Sequence, residues 1–138
     1  MSEIIAGKRI SNFELGMHFE ALIEKFEDMG IENFERRKLH STTLITAPPY
    51  MFWIDDDSKQ VTQITVSAGF QGKFLDTFGI GSTLGELKVT AGEYYEELDV
   101  FKLKDYAGIC FEVGDSGTDT CWDETSAPVE DISVYFED

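Results

Sequence analysis

The chain has 138 residues, 42% of them hydrophobic, and a formal net charge of −16. This length suits one domain with room for a core that needs neither metal nor disulfide staples. No run of about 18 apolar residues is present, which excludes a transmembrane helix, and the negative field argues against nucleic acid and anionic membranes while favouring a basic protein partner.

Met1 to Arg9 has no basic stretch followed by an apolar one, so no secretory signal is read and a cytoplasmic protein is expected. These residues suit a loose arm or a short edge strand. Ile10-Ser11-Asn12-Phe13-Glu14-Leu15 alternates and suits a strand or an extended lead-in. Gly16 breaks it. From Met17 to about Met29, Phe19, Leu22, Ile23 and Phe26 fall on one helical stripe, with Gly30 as the stop. Ile31 to Leu39 is ambiguous. It holds Arg36-Arg37-Lys38, the chain's one basic cluster, which suits a solvated strand end facing the acidic half better than a nucleic-acid contact.

Thr42 to Thr46 is β-branched and predicts a strand, and Pro48-Pro49 forces a break. Tyr50-Met51-Phe52-Trp53-Ile54 is apolar at every position, as in a central strand or one that presents an aromatic face. Asp55 to Lys59 is a turn, and Val61 to Val66 alternates as a third strand. After a glycine-punctuated connector, Thr83 and Glu86 make a capping box for a short second helix that ends near Gly92. Glu93 to Asp99 is acidic. Strands are expected over 98–103, 108–113 and 131–136, with a long polar loop over 114–130.

Leu15 to Leu22 lines up with Ile80 to Leu87 at an offset of 65 positions, and apolar strand-like runs follow each. The expectation is α+β: one domain, residues 1–138, made of two helix-plus-three-strand units (10–66 and 75–136) that share an antiparallel sheet with both helices on one face. The charge is uneven across the two. Residues 1–69 carry 11 acids and 7 bases, and residues 70–138 carry 16 acids and 4 bases.

No catalytic pattern stands out. His18 and His40 lack metal-ligand spacing and suit surface positions. Cys110 sits in a strand-like run as a small hydrophobe and Cys121 in an acidic loop. Without a CxxC they make no zinc signature, and a cytoplasmic setting argues against pairing them. Asp55-Asp56-Asp57 fails as an EF-hand because Gln60 and Val66 occupy loop positions that need Gly and Glu. Gly79-Ile80-Gly81 lacks the third glycine of a dinucleotide turn. No enzyme activity, cofactor or metal is expected. Trp122 among Asp119, Asp123 and Glu124 suits a contact surface for a basic partner, although folding back over the sheet edge would explain it equally.

The Leu15-Gly16-Met17 and Ile80-Gly81-Ser82 turns, each opening a helix that precedes strands, resemble the units of the β-lactamase-inhibitor-protein and BamE-like group. A small acidic chain of this type also looks like the immunity proteins of contact-dependent inhibition and polymorphic-toxin systems. That resemblance implies a protein that binds a cognate toxin, with a basic nuclease domain the partner its charge suits, and blocks its active site. Within the 114–130 loop, Asp115, Asp119, Trp122, Asp123, Glu124 and Glu130 are the candidate partner-binding residues. The alternatives are a small hydrolase with a spatially assembled site, or a DNA-mimic antirestriction protein.

Overall fold

The computed structural model describes residues 3–113 and 127–136. In chain order the elements are β1 (Glu3–Ile5), β2 (Arg9–Ile10), β3 (Phe13–Glu14), α1 (Phe19–Asp28), β4 (Glu35–Lys38), β5 (Thr42–Ala47), β6 (Tyr50–Asp55), β7 (Val61–Val66), β8 (Lys73–Phe74), α2 (Leu84–Ala91), β9 (Tyr94–Glu97), β10 (Val100–Leu103), β11 (Ile109–Val113) and β12 (Val129–Tyr135). Eight strands form one sheet in the order β4-β5-β6-β7-β12-β11-β10-β9, and a small second sheet runs β3-β2-β1-β8. Every neighbouring pair in the large sheet is antiparallel, so short connections suffice within each meander. The meanders meet at one seam, where Gln63–Val66 pairs with Ile132–Tyr135.

The expected pair of helix-plus-three-strand units with helices on one face is overturned. Among the described residues 46% are strand and 15% helix, in two sheets, so the protein is mostly β. Each helix is followed by more than three strands, because β4 and β9 add an outer strand at either end of the large sheet. Residues 3–14, expected as a loose arm or short edge strand and then a strand or extended lead-in, give three short strands. β1 lies between β2 and β8, pairing with β8 in parallel. Two local features do recur at the 65-position offset. Gly16 N–H donates to the Val61 carbonyl at 2.7 Å, and Gly81 N–H donates to that of Val129 at 2.8 Å. Both glycines adopt positive φ, 87° and 92°, which suits glycine alone without strain.

The helices begin where side chains cap them. His18 Nδ1 accepts the Glu20 N–H at 3.1 Å, and Thr83 with Glu86 forms the expected reciprocal capping box. α1 buries Leu22 and Phe26, and Phe26 lies 5.6 Å (centroid to centroid) from Phe52 on β6. Phe13 of β3 closes this cluster, its ring 4.8 Å from that of Phe52. On the second meander Phe78 meets Phe111 edge-on at 5.3 Å. Phe52 is opposite Ile64, Ile64 opposite Val134, and Val134 opposite Ile109, so Phe52, Ile109 and Phe111 share one face of the sheet. All belong to one continuous hydrophobic core. Among the described residues, no helix is long and apolar enough to cross a membrane.

Candidate protein-binding surface

Five of the six residues expected to bind a partner, Asp115, Asp119, Trp122, Asp123 and Glu124, lie outside the described residues. The sixth, Glu130, is exposed on β12. The register there shifts, so that Val129 faces Val113 and Asp131 faces Glu112, and Glu130 is the unpaired bulge residue between them. A bulge re-aims side chains, and this one stands where β12 leaves the 114–126 segment.

The strand register assembles a second surface, the outer face of the large sheet. Side chains alternate across a strand, so Met51 and Trp53 point away from the core that takes Phe52 and Ile54. One row of this face crosses all eight strands: Glu35, Thr46, Met51, Thr65, Ser133, Cys110, Lys102 and Tyr95. Beside it run Arg37, Leu44, Trp53, Gln63 and Tyr135. Small polar groups occupy the middle of the face and larger ones its flanks. Thr65 Oγ1 and Ser133 Oγ lie 2.6 Å apart, both buried, and Gln63 Nε2 donates to Thr65 Oγ1 at 3.3 Å. Cys110 continues the row. Burial pushes its thiol up to about 11, against a smaller opposing effect from its hydrogen bond to Ser133, so the protonated form is favoured at neutral pH.

Leu44, Met51 and Trp53 are half-buried, and Tyr95 is 39% exposed. Lys102 bonds Glu97 at 3.0 Å, which holds its ammonium pKa up, and lies 5.7 Å from the centre of the Tyr135 ring. On the same face two acids are directly opposite on neighbouring strands, Glu112 on β11 and Asp131 on β12. Both carboxyls titrate above their ordinary values. Burial is the largest cause for each; at Glu112 the Asp131 charge and a hydrogen bond to Asp131 add to it, and at Asp131 the Glu130 charge adds to it while the hydrogen bond to Glu112 works against it.

The basic cluster is split by strand alternation. Arg36 lies over the Phe19 ring of α1 at 4.9 Å, Arg37 is on the outer face, and Lys38 pairs with Asp56 at 2.6 Å. The expected contact with the acidic second half is thus replaced by one within the first meander. His18 is a helix cap and His40 lies in the exposed turn between β4 and β5. Among the described residues no three His, Cys, Asp or Glu side chains converge as a metal site. A cleft of about 450 Å³ opens beside β1 and β8, with Ile4, Phe74 and Tyr106 among its apolar walls.

The outer face as a whole is not legible in the sequence, because its residues meet only through strand register. Its signal was the uninterrupted apolar run Tyr50 to Ile54, in which two of five side chains must leave the core. No known protein family, curated protein or solved structure matches this chain.

Proposed function

We propose that this chain is a non-enzymatic inhibitor: an immunity protein that binds a cognate bacterial toxin and blocks its active site. A basic nuclease domain is the partner its charge suits best. The observation that supports this reading is the outer sheet face, where the opposed Glu112 and Asp131 share a surface with half-buried Met51 and Trp53. Like charges directly opposite on adjacent strands are unfavourable in the isolated chain. A lysine or arginine from a partner would relieve them, while Trp53 and Tyr95 offer the amphipathic aromatic surface that anchors interfaces. The charge of −16 would steer a basic domain onto this face before the anchors engage.

Co-expression tests this. The C-terminal domain of the protein encoded immediately upstream should arrest growth, and this chain should restore it. Trp53→Ala, or Trp122→Ala in the 114–126 segment, should weaken the complex by about 30-fold if that residue is a buried anchor. Replacing Glu112, Glu130 and Asp131 by their amides should slow association and flatten its salt dependence. His18→Ala and His40→Ala should leave protection intact. Growth arrest that this chain does not relieve, or protection lost on changing a histidine in a folded variant, would sink the proposal.

A further inference from the structure

The two edges of the large sheet carry opposite charge. β4 reads Glu-Arg-Arg-Lys with all four residues exposed. β9 reads Tyr-Tyr-Glu-Glu with three of its four residues exposed. Each lies at the end of the strand order and, among the described residues, pairs on one side only, β4 with β5 and β9 with β10. An edge strand offers a row of backbone groups to another strand, and charge on it usually discourages that pairing. Here each edge would repel its own kind: β4 against β4 sets arginine near arginine, and β9 against β9 sets glutamate near glutamate. β4 against β9 does the reverse.

Backbone geometry permits that match. Leu39 N–H donates to the Thr42 carbonyl at 2.8 Å, so alternation along β4 turns the backbone groups of Arg36 and Lys38 away from β5. Lys104 N–H donates to the Glu93 carbonyl at 3.1 Å, and the same alternation turns those of Glu96 away from β10. We propose that the β4 edge of one copy adds antiparallel to the β9 edge of a second copy, with Lys38 opposite Glu96 and Arg37 opposite Glu97. Lys38 and Glu96 then exchange backbone hydrogen bonds, and both facing pairs are of opposite sign. Sliding by two residues one way opposes Glu35 to Glu97, and the other way carries Arg37 and Lys38 past the end of β9 onto Asp99 and Leu98, which have positive φ, so charge and the length of β9 together select the register. Arg37 and Glu97 both belong to the outer face, which therefore continues unbroken across the joint.

The contact joins different patches, so it propagates head to tail and does not close as a dimer. It is short, and the two copies repel at long range through their −16 charges. Association is therefore weak, and is best measured at an ionic strength of about 0.15 M, where screening beyond about 8 Å removes the long-range repulsion and leaves the facing pairs.

Sedimentation velocity on the whole chain, up to about 1 mM protein, tests the idea. The parent should show a weight-average sedimentation coefficient that rises with concentration. Arg37→Glu sets glutamate opposite Glu97, and Glu97→Arg sets arginine opposite Arg37, so in each variant alone the facing outer pair repels and the chain should stay monomeric. An equimolar mixture should associate again, since each variant supplies the edge that fits the other. Both positions are exposed, and circular dichroism checks that the variants fold. A parent that stays monomeric throughout overturns the proposal without any variant. So does association that survives either single substitution, or a mixture of folded variants that stays monomeric.

Discussion

The Glu112–Asp131 pair should make the free protein less stable than it could be. Both carboxyls titrate above their ordinary values in the folded chain, so the native state holds protons that the unfolded state releases first. The stabilisation tied to those protons is complete below the unfolded values, near 3.8 for Asp and 4.5 for Glu, and is lost as pH rises through the higher folded ones. At neutral pH the two partly buried carboxylates, with the Glu130 charge beside Asp131, are a net cost that their mutual hydrogen bond only partly offsets, and Asp131→Asn should remove the share that Asp131 carries. Like charges directly opposite on adjacent strands destabilise by roughly 0.2–1 kcal/mol. Glu112 is exposed, so solvent screening keeps the effect toward the lower half of that range, about 0.5 kcal/mol. For a chain this long, with an unfolding entropy of about 2.1 cal/mol/K per residue, that is a rise in Tm of about 2 °C. Thermal unfolding followed by circular dichroism should show the gain at about pH 7, its shrinkage in high salt, and its disappearance near pH 3.5. Glu112→Gln should behave alike. A variant no more stable than the parent at pH 7, or a gain of equal size at both pH values, would mean that the two acids do not repel.

Three further outcomes follow from the fold. With Cys121 replaced by Ser, Cys110 should react with iodoacetamide at about pH 8 far more slowly in the native than in the urea-unfolded protein, because burial raises its thiol to about 11; equal rates would refute this. Thr83→Ala removes the α2 capping box and should destabilise by about 1 kcal/mol in urea titration, whereas Thr83→Ser should retain most of it. Gly108 has φ 79° and packs on the Gly7 backbone, where an added Cβ would lie 2.5 Å from Gly7 Cα and 2.8 Å from the Tyr135 carbonyl oxygen. Gly108→Ala should therefore destabilise by more than about 2 kcal/mol, measured by the same titration, since backbone on two sides must shift.

The strands that sequence pattern located are those with a buried face. Val61 to Val66 alternates because Ile64 faces the core and Gln63 does not, and β7 occupies those residues. β5, β6, β10, β11 and β12 were located to within about two residues at each end for the same reason. β4 is ambiguous in the sequence and β9 shows there only as an acidic stretch, because each is a sheet edge held largely by backbone hydrogen bonds to one neighbour. Arg36-Arg37-Lys38 and Tyr94 to Glu97 carry no strong apolar alternation for a pattern to detect. Missing those two strands left each unit one strand short. The helix starts were legible at Thr83 because a capping box is local chemistry. The outer face was not, since Met51, Ser133, Cys110 and Lys102 become neighbours only through register, and register is set by the whole sheet.

The seam between β7 and β12 bears on how the chain is made. During synthesis β7 emerges roughly 70 residues before β12 is finished, on the order of 3–14 s at ordinary elongation rates. Throughout that interval the first meander stands with β7 as a bare edge. Val61, Ile64 and Val66 lack the meander they will pack with, and no charged residue lies among positions 61–66 to discourage a neighbouring nascent chain. The finished sheet has charged strands at both ends, yet the half-made sheet ends in an uncharged one. Ribosome-bound chains halted before Val129 should therefore be the most aggregation-prone species this protein passes through, and holdase chaperones should engage them there.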